Sequence, residues 1–118
     1  SIDKKIQLLV GTWPISNVAI NVASKALIDD VWIMNTISFL KEGSYFLDCL
    51  ASEINWKVVG GTNLYRLYET PNAEHAQYKL ANFRIWSRRF SYSKKWIRLG
   101  IPRKKDFKKV SEIFKKLY

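Results

Sequence analysis

The residues best suited to chemistry in this sequence are arginines in one short stretch, RIWSRRFSYSKKWIRLGIP, at residues 84–102. The stretch carries six cationic side chains with aromatic side chains between them. Guanidinium groups bind carboxylates and phosphates through paired hydrogen bonds, and aromatic rings offer faces on which nucleic acid bases stack. The stretch therefore favours either a site for a small anion or a surface for nucleic acid.

Arg98 is singled out by the alternation of side chains within WIRLGI, residues 96–101. Because side chains on a strand change face at every residue, Ile97, Leu99 and Ile101 share an apolar face that is typical of a core. Arg98 then lies on the other face beside Gly100, whose missing side chain leaves room for a ligand. A guanidinium on a rigid strand can bind a carboxylate through two parallel hydrogen bonds, which lysine cannot copy. From the pattern alone, a solvent-facing or salt-bridged arginine remains the alternative.

Charge is distributed unevenly along the 118 residues, which carry a net charge of +10. Residues 1–83 hold seven Lys or Arg against eight Asp or Glu, whereas residues 84–118 hold thirteen against two. Such a basic block is typical of nucleic-acid binding or of a solvated surface, and no zinc spacing, RNA-recognition strand motif or KH-type glycine loop accompanies it. A free-standing basic module that binds nucleic acid stays as the alternative function. Its phosphate contacts would be Arg84, Arg88, Arg89, Lys94, Lys95 and the lysines from 104 to 116, and its stacking residues Trp86, Phe90, Tyr92 and Trp96.

Residues for catalysis by this chain alone are few. His75 is the only histidine, and its short polar helix favours a surface role. The sequence has no G-x-S-x-G, no Gly-rich phosphate loop followed by Lys and Ser or Thr, and no carboxylates at metal spacing. Lys25 follows a serine in ASKAL but lacks the surroundings of a Schiff-base lysine. Cys49, the only cysteine, is expected to be a small core residue. We therefore expect no catalytic, cofactor-binding or metal-binding residue in the chain.

The composition, 47% hydrophobic and 25% charged, predicts a single folded domain over residues 1–118. No apolar run is long enough to span a bilayer and no signal peptide is evident, so we expect a soluble cytoplasmic protein. The chain opens on Ser1 without an initiator Met, which we interpret as a piece cut from a longer protein.

Residues 1–56 are predicted to form an N-terminal loop, a short helix and a long helix. Ser16 is a suitable cap for a helix that ends near Leu27, and Asp29 and Asp30 are suitable caps for the long helix. About 24 residues of helix would be about 36 Å long. Gly43 in its middle costs about 1 kcal/mol relative to Ala, so we expect a bend there or support from packing.

Residues 57–118 are predicted to form a sheet with covering helices. Gly60 and Gly61 are placed at the turn between two strands in WKVVGGTNLYRLYE, and Asn72 belongs to the start of a short helix. Strands RIWSRRF and WIRLGI follow, joined by a turn around SYSKK, and DFKKVSEIFKKLY has the pattern of an amphipathic helix. Together these elements predict an α+β fold, in which helices cover a small, mainly antiparallel sheet of three or four strands.

The order of several of these motifs carries a family resemblance. GTWPIS, an Ala-rich helix, a long helix, GGTNLYRLYET and RIWSRRFSYSKKWIRLGIP follow one another. In this order they resemble the C-terminal part, or small domain, of class I/II aminotransferases, which are fold type I pyridoxal-phosphate enzymes. The chain is most similar to the threonine-phosphate decarboxylase-like enzymes of cobalamin biosynthesis, and more distantly to histidinol-phosphate aminotransferases. The resemblance runs from about Leu9 to Tyr118.

The resemblance implies a role for two arginines. Arg98 matches the family arginine that clamps the substrate α-carboxylate. Arg88 matches the arginine on the preceding strand, which lies near the substrate phosphate in relatives with phosphorylated substrates. Arg89 competes with Arg88 for this role because the turn between the strands is short. The residues do not choose between decarboxylation and transamination.

The resemblance also implies what the chain lacks. Pyridoxal 5'-phosphate would be bound as a Schiff base to a lysine of a preceding N-terminal large domain, and the long helix would join the two domains. The implied partners are that large domain, an amino-acid phosphate substrate and a second subunit in a homodimer, but no membrane and no nucleic acid. We expect the fragment alone to be inactive, with exposed apolar surface along the long helix and around Trp13.

Overall fold

The computed structural model describes residues 2–11 and 15–117 of the chain. The elements follow in the order α1 (Ile2–Val10), α2 (Asn17–Ala26), α3 (Asp30–Glu53), β1 (Lys57–Gly61), β2 (Tyr65–Glu69), α4 (Ala73–Asn82), β3 (Arg88–Phe90), β4 (Ser93–Gly100) and α5 (Phe107–Phe114). A short 3-10 turn, Lys104–Asp106, precedes α5. Contacts group the chain into two compact units, Ser1–Asn35 and Thr36–Tyr118.

The first unit contains α1 and α2. Helix α1 lies where the sequence pattern predicts a loop, because Ile2, Ile6 and Leu9 recur at the helical spacings of four and three. Helix α2 begins as predicted, with the Ser16 hydroxyl accepting a hydrogen bond from the Ala19 amide at 3.2 Å. None of the described residues of α2 is buried, so its apolar side chains are at least partly exposed to solvent.

Helix α3 has the predicted length of 24 residues. Asp29 caps it, because its carboxylate accepts a hydrogen bond from the Trp32 amide at 2.9 Å. Gly43 is buried within this helix, and a Cβ atom there would overlap the side chain of Ile101. The glycine is therefore explained by close packing against the segment that follows β4.

The four strands form one antiparallel sheet in the order β1-β2-β4-β3, which confirms the predicted α+β fold. Gly60 and Gly61 are not the turn between β1 and β2, as predicted, but belong to β1, where the register shifts between Val58 and Gly60. The turn follows at residues 62–64, where the Thr62 amide donates to the Tyr65 carbonyl at 2.9 Å.

The hairpin of β3 and β4 differs from the prediction at both of its strands. Strand β3 begins at Arg88 instead of position 84, because Arg84 adopts a left-handed conformation with φ 61° and the chain is still closing α4 there. The amide of Ile85 donates to the Leu80 carbonyl at 2.9 Å and so completes that helix end. Strand β4 begins at Ser93, so the turn is confined to residues 91 and 92.

The core lies between one face of the sheet and the helices α3, α4 and α5. Its buried residues from α3, α4, the sheet and α5 include Leu47, Leu50, Leu80, Tyr68, Ile97, Leu99 and Phe114. Burial of Ile97 and Leu99, with Ile101 packed against the core, confirms the predicted alternation of β4. Cys49 is exposed, so its prediction as a core residue is wrong: the helical period turns it away from Leu47 and Leu50.

No described helix is both long enough and apolar enough to cross a membrane.

Candidate functional site

The sheet brings Arg88 and Arg98 to the same face. The two residues are register partners on the antiparallel strands β3 and β4, and Leu67 of β2 is the partner of Arg98 on its other side. Directly opposed residues project to the same side of a sheet, with Cβ atoms about 4.5–5.5 Å apart. Because Ile97 and Leu99 face the helices, both arginines project from the opposite face.

An open groove of about 680 Å³ lies at these arginines. It is lined by side chains and backbone of Gln77, Trp86, Ser87, Arg88, Arg89, Arg98 and Gly100. No carboxylate is among these described lining residues, whereas three guanidinium groups are. The groove is therefore an electropositive surface suited to an anionic ligand.

Arg88 and Arg98 both lie over aromatic rings. The guanidinium carbon of Arg98 lies 4.5 Å from the centroid of the Tyr65 ring, and that of Arg88 lies 5.7 Å from the Phe90 ring. Within residues 2–11 and 15–117, no ion pair is formed by either arginine. A ring contacts the face of a guanidinium and leaves its N–H edge available for a planar anion.

Arg89 is held on the other side of its strand. Its Nε donates a hydrogen bond to Gln77 Oε1 at 2.8 Å, and its Nη1 lies 3.3 Å from Glu74 Oε1. Both partners belong to α4. The sequence did not decide between Arg88 and Arg89 for the phosphate-binding role. In the structure their surroundings differ, because Arg89 is paired with residues of α4 whereas Arg88 is opposite Arg98.

A further arginine, Arg66, forms a bidentate ion pair that no sequence pattern predicted. Its Nη2 and Nε lie 2.7 Å and 2.9 Å from the two carboxylate oxygens of Asp48, and the Tyr68 hydroxyl donates to the same carboxylate at 2.8 Å. The side chains of Arg66 and Asp48 are only 18% and 27% exposed. The only signal in the sequence is an acidic residue within an apolar stretch of α3.

This cluster joins α3 to β2. Burial, followed by the hydrogen bond to Asp48, raises the pKa of Tyr68 above its usual value. The hydrogen bond to Asp48 also raises the pKa of Arg66. Since Arg66 is already neutralised by a carboxylate of its own chain, it is unsuited to bind a ligand, in contrast to Arg98.

Three of the predicted stacking residues are brought together at the turn between β3 and β4. The rings of Phe90 and Tyr92 lie 5.2 Å apart, and Trp96 meets Tyr92 edge-on at 6.2 Å. Trp86 lies at the groove and is 89% exposed. Lys94 and Lys95 are exposed, as are the lysines of α5, which lie opposite its buried face.

Other candidates form no site in the described residues. No three His, Cys, Asp or Glu side chains of the described chain are placed to hold a metal ion. His75 and Lys25 are exposed on α4 and α2. The groove at Arg98 has no lysine among its described lining residues, so these residues do not fit a Schiff-base site for pyridoxal phosphate.

Comparison with known proteins finds similarity both by sequence and by fold. No family model matches the chain. A threonine-phosphate decarboxylase from Sinorhizobium sp is 33% identical over 94 residues, which are 78% of this chain and 27% of the relative. The chain thus spans about a quarter of the length of that curated relative.

The fold is similar to that of a solved structure from Erwinia carotovora atroseptica SCRI1043, a protein described as a histidinol-phosphate aminotransferase. The TM-score is 0.74 at 11% sequence identity, and the match covers 83% of this chain and 29% of that one. At this identity the likeness concerns the fold, which is the same small antiparallel sheet with helices.

Proposed function

The chain is a C-terminal domain of the fold type I pyridoxal-phosphate aminotransferase family, and from this premise we propose that it closes over the substrate in a pyridoxal-phosphate-dependent decarboxylase or aminotransferase. The observation that carries the proposal is the pair of register partners Arg88 and Arg98 on one face of the sheet. Both line a groove without a carboxylate among its described residues. Among the described residues neither guanidinium group has an ion-pair partner, and two such groups side by side suit a ligand with two anionic groups.

The substrate that fits this arrangement best is an amino-acid phosphate. Arg98 would bind the α-carboxylate and Arg88 the phosphate, and both ligand groups accept charge-assisted hydrogen bonds worth roughly 1.5–3 kcal/mol each. The 33% identity to a threonine-phosphate decarboxylase supports threonine phosphate as the substrate. A place in cobalamin biosynthesis is what the family resemblance of the sequence implies. Which bond of the substrate breaks depends on groups beyond these two arginines.

Pyridoxal phosphate in this proposal is held by an N-terminal large domain, because the groove of this chain does not itself fit a Schiff-base site. The curated relative is much longer than the matched segment, which supports such a domain. We propose further that the full-length protein is a cytoplasmic homodimer and that the present 118 residues alone are inactive.

Exposed apolar side chains support a covering domain. Val18 and Val22 of α2 and Val31, Trp32 and Met34 at the start of α3 are all exposed. Surfaces of this kind mark interaction sites in soluble proteins. The expected patch around Trp13 lies outside the described residues.

Kinetics of the full-length protein with O-phospho-L-threonine test the arginine assignment. Replacing Arg98 with Ala removes a bidentate contact of about 3 kcal/mol, so the Michaelis constant should rise about 100-fold while the fold is kept. Arg103→Ala is the matched control, because Arg103 is paired with Asp106 and is not among the described residues that line the groove, so its loss should change the Michaelis constant little. An Arg98→Ala enzyme with an unchanged Michaelis constant would refute the carboxylate role.

Nucleic-acid binding is the second candidate, which the exposed Trp86 and the ring cluster of Phe90, Tyr92 and Trp96 favour. If it held, binding of single-stranded DNA or RNA would weaken steeply with salt, because each phosphate contact releases counterions. A titration at two salt concentrations therefore separates it from the enzyme proposal, which predicts no such binding.

A further inference from the structure

We propose that Tyr65 is a positioning residue for Arg98, holding the guanidinium in the orientation that binds the substrate carboxylate. The inference rests on the proposed carboxylate role of Arg98 and extends it to a residue on a different strand. Tyr65 opens β2, whereas Arg98 lies near the end of β4.

Sheet register explains why these two side chains meet. Tyr65 is opposite Gly100, and Leu67 is opposite Arg98, so Tyr65 and Arg98 are diagonal neighbours on the same face. Diagonal neighbours on antiparallel strands are within reach of aromatic and long side chains. Gly100 has no side chain to stand between them, and the ring centroid lies 4.5 Å from the guanidinium carbon.

Stacking of this kind restricts an arginine without neutralising it. Arg98 has several rotatable bonds, and in the described residues no carboxylate fixes it as Asp48 fixes Arg66. The Tyr65 ring occupies one face of the guanidinium, whereas a carboxylate binds in the guanidinium plane. The ring and the ligand therefore do not compete, and the contact reduces the rotamer freedom that Arg98 loses when it binds.

The aromatic ring of Tyr65, and not its hydroxyl group, orients the Arg98 guanidinium. An aromatic ring attracts a cation through its π face, so Phe should replace Tyr at position 65 whereas Leu should not. Tyr65 is 40% exposed and outside the core, so these substitutions leave the packing of the domain unchanged.

The test is a titration of the full-length protein, prepared without pyridoxal phosphate so that no turnover occurs, with O-phospho-L-threonine, followed by the NMR signal of the Arg98 Nε–H group. The backbone amide spectrum of each variant reports whether the protein is folded. In the free chain, the ring should shift the Arg98 signal upfield. Tyr65→Leu should abolish that shift and weaken binding about two- to five-fold, and Tyr65→Phe should keep both. Leu64→Ala, at the exposed neighbouring position, is the matched control and should change neither.

The outcomes separate this inference from the proposed function. If Arg98→Gln abolishes binding while Tyr65→Leu removes the ring shift but leaves the affinity unchanged, the positioning role is overturned and the carboxylate role stands. If Arg98→Gln binds the ligand as tightly as the unaltered chain, or if the Arg98 signal of the unaltered chain does not respond to the ligand, both are overturned.

Discussion

Replacing Gly43 with Ala is expected to destabilise the protein, although alanine is the better helix former. Gly43 is buried in the middle of α3, and a Cβ atom there would overlap Ile101 Cγ2. The same atom would lie 3.8 Å from Ile101 Cβ and 3.6 Å from Phe107 Cζ, both ordinary contacts. The steric problem is therefore confined to one methyl group of Ile101.

Two opposing energies decide whether Gly43→Ala raises or lowers the free energy of unfolding. Helix propensity favours Ala over Gly by about 1 kcal/mol. Overpacking a core by one methyl group costs about 1–3 kcal/mol, and Ile101 has little freedom to move because it is β-branched and precedes Pro102. We expect the steric term to win, with a net loss of about 1–2 kcal/mol in the free energy of unfolding.

Chemical denaturation of two pairs of variants measures this balance. Gly60→Ala is the control for an unobstructed glycine, since nothing lies within 4 Å of a Cβ at that position. It should change stability by less than about 0.5 kcal/mol. In an Ile101→Ala background the obstructing methyl group is gone, so Gly43→Ala should there stabilise by up to about 1 kcal/mol. Stabilisation by Gly43→Ala in the unaltered background would refute the packing explanation.

The remaining predictions concern the sheet and its attachment to α3. Asp48→Asn should lower the free energy of unfolding by about 2–3 kcal/mol in urea denaturation, because it leaves the charge of Arg66 partly buried and unpaired. Because the pKa of Tyr68 is raised in the folded protein, the unfolded chain loses the phenol proton of Tyr68 at a lower pH than the folded protein does. The contribution of Tyr68 to the free energy of unfolding is therefore fully present below about pH 10 and is lost as the pH rises further. Tyr68→Phe should therefore make stability fall less steeply above pH 10, and an unchanged slope would contradict the assignment. Gly61→Ala should strongly lower the free energy of unfolding in the same assay, because φ at Gly61 is 138° and the new Cβ atom would overlap the backbone of Tyr65. An unchanged free energy of unfolding would contradict the geometry of the β1–β2 connection.

Short-range signals were the ones that the sequence revealed well. Ser16, Asp29 and Asn72 each accept a hydrogen bond from the amide three residues later, at 2.9–3.2 Å. Such caps depend on neighbouring residues alone, so they can be recognised in a single sequence. The alternation of Ile97 and Leu99 was equally local, and it placed Arg98 on the correct face of β4.

Interactions between distant residues were the ones that the sequence did not reveal. The pair of Arg66 and Asp48 joins residues 18 positions apart on different elements, and neither residue has a local pattern that names its partner. Strand β3 was predicted too long because the end of α4 extends to Arg84, which is in the left-handed conformation. Glycine adopts this conformation most readily, and here the hydrogen bonds at the helix end hold an arginine in it.

The register of the sheet decides the candidate site for the same reason. Arg88 and Arg89 are adjacent in sequence, and nothing local distinguishes them as ligand-binding residues. Only the pairing of β3 with β4 and the contacts of Arg89 with α4 show that Arg88 is the one opposite Arg98.

A crystal structure of the full-length protein with O-phospho-L-threonine tests the central claim most directly. We expect Arg98 to contact the substrate carboxylate through two nitrogens at about 2.7–2.9 Å and Arg88 to contact the phosphate. A substrate whose carboxylate is bound by other residues, with Arg98 remote from it, would contradict the proposed carboxylate role.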